Sequence, residues 1–96
     1  MKLNFNKVDD ALNLSIEGRL DTTTAPELDS FLTENLYGVG ELNINCEKLV
    51  YLSSAGLRVL LVAHKKMQGK MKLSNVCDLV MEVFELTGFA DILVIE

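Results

Sequence analysis

Two adjacent hydroxyls, Ser53 and Ser54, stand where an apolar run, Leu49-Val50-Tyr51-Leu52, gives way to a helical pattern. Leu57, Leu60, Leu61 and His64 then recur at the spacing of one helix face. A serine at such a junction accepts a hydrogen bond from an unpaired N–H of the first helical turn. The same place suits a phosphate, because free donors and the positive end of the helix macrodipole point at it. Two roles are therefore open to this pair: an ordinary N-cap, or a binding surface gated by phosphorylation.

Catalysis fits these residues less well. His64 is the sole histidine and lies on the apolar stripe. It follows the serines by ten or more residues along one helix, which at ~1.5 Å per residue is about 15 Å. That excludes a serine–histidine pair. Gly38-Val39-Gly40 follows a helical pattern and precedes a strand, the wrong context for a dinucleotide. Ser53-Ser54-Ala55-Gly56 lacks a Walker lysine. Asp9, Asp10 and Asp21 fall at turns and caps, where aspartate bonds its own backbone. Cys46 and Cys77 lack metal-ligand spacing and read as buried thiols. These patterns imply no enzyme, no metal and no cofactor.

The elements that must position the serines are patterned clearly. Leu3 and Phe5, then Leu12, Leu14 and Ile16, alternate with polar residues as a strand pair joined through Lys7-Val8-Asp9-Asp10. Thr24 and Glu27 fit a capping box, with Pro26 in the first turn and Leu28, Phe31, Leu32 and Leu36 as the helix stripe. Gly38 and Gly40 end that helix. Leu42, Ile44 and Cys46 alternate as a third strand, followed by a loop, the serines and a second helix to about Gln68, with Gly69 as its C′ residue. Met71 and Leu73 mark a fourth strand. Asn75 caps a third helix whose inner face is Val76, Leu79, Val80, Val83 and Phe84, and Gly88 ends it. Ile92-Leu93-Val94-Ile95 reads as the last strand. The pattern predicts one α/β domain over residues 1–96. Its sheet is mixed and mostly parallel, with an N-terminal antiparallel hairpin and helices after the second, third and fourth strands.

The 96 residues carry a net charge of −5, which argues against a nucleic-acid partner. The charge is uneven. Lys48, Arg58, Lys65, Lys66, Lys70 and Lys72 occur without an acid among them, and the serine pair lies inside that segment. A basic segment in an acidic chain is either a solvated face or a footprint for a protein partner. No apolar run reaches the ~18 residues of a membrane span, and the N-terminus turns polar at once, so a cytoplasmic protein without membrane insertion is expected.

The whole chain resembles an STAS domain of the anti-sigma factor antagonist family. The resemblance rests on Glu17-Gly18-Arg19-Leu20-Asp21 with Thr24-Ala25-Pro26-Glu27-Leu28, on Leu42-Asn43-Ile44-Asn45, on Ser53-Ser54-Ala55-Gly56-Leu57-Arg58-Val59-Leu60, and on Glu85-Leu86-Thr87-Gly88-Phe89. The third of these is the most specific. The family's regulatory motif reads Asp-Ser-Ser-Gly-Leu, with the first serine phosphorylated. Anchoring on Gly56-Leu57 puts that acceptor at Ser54, with Ser53 as the alternative. Ser53 stands in the place of the aspartate and Ala55 in that of the second serine.

The resemblance implies a binding protein whose partner is an anti-sigma factor with serine kinase activity. The unphosphorylated form would bind that factor and free a sigma factor, and phosphorylation would switch binding off. The candidate partner surface comprises Asp21, Thr22, Thr23, Leu52, Ser53, Ser54, Ala55, Gly56 and Arg58. Two other roles occur among STAS domains: an adaptor subunit of a transport or signalling complex that is not phosphorylated, and weak nucleotide binding.

Overall fold

A computed structural model describes all residues from Met1 to Glu96. The strands are β1 (Lys2–Val8), β2 (Ala11–Leu20), β3 (Glu41–Asn45), β4 (Leu49–Leu52), β5 (Met71–Ser74) and β6 (Val94–Ile95). The helices are α1 (Ala25–Asn35), α2 (Ser54–Lys66) and α3 (Asp78–Thr87). The sheet runs β1-β2-β3-β5-β6, with β1 antiparallel to β2 and the other pairs parallel. This is the predicted α/β architecture with its N-terminal hairpin.

Register explains why one face is dry. Leu12 lies beside Leu42 and Leu42 beside Met71; Leu14, Ile44 and Leu73 form the next row. All six are fully buried or nearly so, and they join Leu28, Leu32, Leu57, Leu60, Val80 and Phe84 of the helices in one core. Side chains alternate across a strand, so the intervening residues face the other way. There Asn13, Asn43 and Lys72 make one row, and Ser15, Asn45 and Ser74 another. This uncovered face is polar, and Asn43 donates to Asn13 at 3.1 Å across it. Phe5, on the core-facing side of the outermost strand, meets Phe31 of α1 edge-on, with ring centroids 4.9 Å apart.

β4 was not predicted, since residues 47–52 read as loop and lead-in. Its origin is the length of β2. β3 pairs with β2 only as far as Ser15, and β4 takes over at Gly18–Leu20. The register shifts between Gly18 and Arg19, and Gly18 accommodates it at φ 100°, a conformation side chains disfavour. Gly18 N–H donates to the Lys48 carbonyl at 2.8 Å, which starts the new ladder. Burial of Leu49 and Leu52 anchors the strand.

Five local expectations are also corrected. Thr24 occupies the N-cap position of α1 but makes no capping-box bond. It has αR dihedrals, and its hydroxyl donates to the Arg19 carbonyl at 2.8 Å. Asn75 does not cap α3, whose N-cap is Cys77; Asn75 takes a left-handed turn at φ 56° and donates to Asn45 Oδ1. Leu79 faces solvent, because starting α3 at Asp78 rotates it off the stripe that buries Val80 and Phe84. The run from Ile92 is strand only at Val94–Ile95, after a 3-10 turn at Phe89–Asp91. In α2 the left-handed exit begins at Gln68 and continues through Gly69, one residue before the expected C′ position. Gly88 ends α3 in the left-handed region, as its type predicts.

Cys46 is buried and Cys77 half-buried, and both are free thiols. Burial, with Cys77 as a lesser cause, pushes the Cys46 thiol up to about 12, so it stays protonated and unreactive at neutral pH.

Candidate functional site

The ladder between β2 and β4 assembles the site. Leu20 and Leu52 are register partners, and Ser53 N–H donates to the Leu20 carbonyl at 2.9 Å. Beyond Leu20 the chain turns through Asp21-Thr22-Thr23-Thr24; beyond Leu52 it enters α2. The two segments of the expected partner surface are thus neighbours at the carboxyl ends of adjacent parallel strands. In open α/β sheets, ligands bind outside the carboxyl ends of the strands.

The two serines take different roles. Ser53 is extended (φ −98°, ψ 172°) and half-buried, and its Oγ accepts from the Gly56 N–H at 3.4 Å. It is the N-cap, with its carbonyl accepting from Leu57 N–H at 2.9 Å. Ser54 is the first residue of α2 and is exposed, and its hydroxyl has no partner within the protein. The first turn of α2 carries no acid of its own to occupy the positive helix end. One hydroxyl is committed to the fold and the other is free for chemistry.

Gly56 sets how closely α2 approaches the sheet. A Cβ there would lie 2.5 Å from Leu20 Cγ and 2.9 Å from the Leu20 carbonyl oxygen. Only glycine lets the helix start pass that close to the end of β2, which holds the serines beside the Asp21 turn.

The Asp21 turn is internally bonded. Asp21 Oδ1 accepts from the Thr23 hydroxyl at 2.7 Å, from Thr23 N–H at 3.0 Å and from Thr24 N–H at 3.1 Å. The Thr23 hydroxyl is the main reason the carboxyl is held down at about 2. Arg19 Nε lies 3.7 Å from Asp21 Oδ2, and the guanidinium stacks 4.0 Å over the Tyr51 ring. Because the folded value lies below the ordinary 3.8, this carboxylate supports the turn above pH 4 and loses that support as the pH falls towards 2. Amide resonances of Thr23 and Thr24 followed by NMR should move together over that window, and Asp21→Asn should abolish the transition.

A groove of about 380 Å³ opens between α1 and α2 beside Ser54. Pro26, Asp29, Ala55, Arg58, Val59 and Val62 line it, with Thr22 and Ala25 at one end. Of these, Thr22, Ala55 and Arg58 were expected at the partner surface. Ala25, Pro26, Asp29, Val59 and Val62 were not among the expected residues, because a surface shared by two helices has no contiguous motif. A signal existed in Val59 and Val62, apolar residues outside the Leu57–Leu60 stripe. A larger depression of about 460 Å³ lies on the uncovered sheet face among asparagines and serines. It holds no charged group or activated nucleophile, so the strand ends remain the candidate site. His64 is half-buried on α2 with its Nδ1 shielded and without a hydrogen-bond partner. No three His, Cys, Asp or Glu side chains converge as a metal centre, and no helix is long and apolar enough to cross a membrane.

Comparison with known proteins places the fold and the family. Residues 2–96 match the STAS domain family. BtrV of Bordetella bronchiseptica is 34% identical over 96 residues, covering 96% of this chain and 83% of that protein. The anti-sigma-B factor antagonist of Listeria monocytogenes is 31% identical over 93 residues, covering 91% and 80%. Among solved structures, the anti-sigma factor antagonist SpoIIAA in its unphosphorylated form superposes with a TM-score of 0.84 at 18% identity, over 99% of this chain and 88% of that one. Bacillus SpoIIAA in its phosphorylated form gives 0.76 at 17% identity, over 99% and 91%. The chain belongs to the STAS domain family, alongside the anti-sigma factor antagonists.

Proposed function

We propose that this protein is an anti-sigma factor antagonist switched by phosphorylation of Ser54. In its unmodified form it binds an anti-sigma factor that is also a serine kinase, through the Asp21 turn, the start of α2 and the adjoining groove. Binding sequesters that factor and frees a sigma factor. The kinase then transfers the γ-phosphoryl group of ATP to Ser54 Oγ; the hydroxyl proton leaves, ADP is released, and the complex ends. The antagonist supplies the acceptor and no catalytic group.

The observation that carries this reading is the unequal state of the two hydroxyls. Ser53 Oγ is engaged with Gly56 N–H, whereas Ser54 Oγ is exposed and unpartnered at the first position of α2. A dianion there is compatible with the fold, because a helix N-terminus favours negative charge. A protein packed against the same surface would have to desolvate it. The names of the relatives support the partner class, and the solution of SpoIIAA in both forms supports a phosphorylation switch. Incubation with the cognate kinase and ATP, followed by mass spectrometry, tests the assignment. Wild type and Ser53→Ala should each gain one phosphate, and Ser54→Ala none. Undiminished labelling of Ser54→Ala would sink it.

A further inference from the structure

Ser54 and Arg58 are four residues apart on α2, and both side chains are exposed. That spacing brings two helical side chains onto one face, with Cβ atoms about 6 Å apart. Arg58 has no carboxylate within ion-pair reach. The ion pairs of the protein join Arg19 to Asp21 and Lys72 to Glu41 and Glu96. Asp29 shares the groove with Arg58 but is not paired with it. Arg58 is therefore a cation without a counter-ion, one turn from a hydroxyl without a partner. It also lines the α1–α2 groove with Ala55, Val59 and Pro26.

We propose that Arg58 is the intramolecular counter-ion of the Ser54 phosphate, and that forming this pair withdraws the guanidinium from the groove. The inference rests on Ser54 being the acceptor. Three physical features favour the pair. The anion lies N-terminal to the cation, the better orientation for residues four apart on a helix. The guanidinium fork matches two phosphate oxygens at once. No competing acid has to be displaced. The switch then has two electrostatic parts. Phosphorylation adds charge of −1.5 to −2 at the helix start, and it also removes the groove's own cation from contact with a partner. A phosphorylated surface would thus differ from the unmodified one over both the serine and the groove, although the backbone need not move.

The test uses the full chain with phosphoserine incorporated at position 54 during translation, so that no kinase is required. The phosphate is titrated by ³¹P NMR. An unpaired phosphoserine loses its second proton near pH 6. In wild type the midpoint should lie lower than in Arg58→Gln by about half a unit, since an adjacent cation favours the dianion. Arg58→Lys should recover part of the difference, and salt at about 1 M should shrink it. Equal midpoints in wild type and Arg58→Gln would overturn the pair. Separately, unmodified Arg58→Gln should bind the anti-sigma factor roughly fivefold more weakly, and unchanged affinity would overturn the role in the groove. Failure of the kinase to label Ser54 would instead overturn the acceptor assignment, so the two failures are distinguishable.

Discussion

Ser54→Asp should lower affinity for the anti-sigma factor by about a hundredfold while leaving the protein as stable as wild type, or slightly more so. These opposite signs come from one charge in two environments. In the free protein, position 54 is the exposed first residue of α2, and the first turn has no acid. A carboxylate there interacts favourably with the helix dipole, a gain of about 0.3–1 kcal/mol. In the complex the same carboxylate must lose water against the partner surface. Desolvating that carboxylate at a packed interface costs on the order of 3 kcal/mol, which is about two decades in affinity. Calorimetric titration against the purified partner, with thermal denaturation of the free variant, measures both. Equal affinities for wild type and Ser54→Asp would refute the switch. A large drop in melting temperature would attribute lost binding to unfolding instead.

Gly56→Ala should cost about 3 kcal/mol of stability, which for a chain of this size is a fall of roughly 12–24 °C in melting temperature. The added methyl would meet Leu20 at its Cγ and its carbonyl oxygen, and the latter is backbone that cannot rotate away. Relief requires α2 to move off the end of β2. That movement also strains the Ser53 N–H bond to the Leu20 carbonyl and reaches the core through Leu57, Leu20 and Leu52. The control is Gly38→Ala. Gly38 has φ 75° but open space around its Cβ direction, so only left-handed strain of about 1–2 kcal/mol applies. If Gly56→Ala melted within two or three degrees of wild type, the close packing of helix start on strand end would be refuted. Partner binding should fall with it, because the serines and the Asp21 turn share that contact.

Local chemistry carried much of the reading. The alternation of Leu12, Leu14 and Ile16, and of Leu42 and Ile44, specifies which face of the sheet is buried, since the side-chain period of a strand is two. A serine N-cap on α2 and Gly88 as left-handed terminator follow from what those residues do to their own neighbours, and the structure gave the cap to Ser53 of the pair. Where local rules competed, tertiary context chose between them. Thr24 had a capping-box partner three residues on, yet its hydroxyl donates to the Arg19 carbonyl and accepts from Asp21 N–H, and Glu27 N–H bonds the Thr24 carbonyl instead. Asn75 could cap or turn, and the amide of Asn45 across the sheet drew it into a turn.

By itself the sequence determined the element types, the single α/β domain, the buried faces and the placing of a hydroxyl pair at a helix start. All of these depend on residues within a few positions of one another. Only the tertiary structure decided that β4 exists. Four residues with two buried and two more open carry no usable period, and their ladder depends on the last residues of β2, Gly18 to Leu20, some thirty residues earlier. That one long-range pairing sets Leu20 beside Leu52, and so brings the Asp21 turn, the free Ser54 hydroxyl and the α1–α2 groove together as one surface.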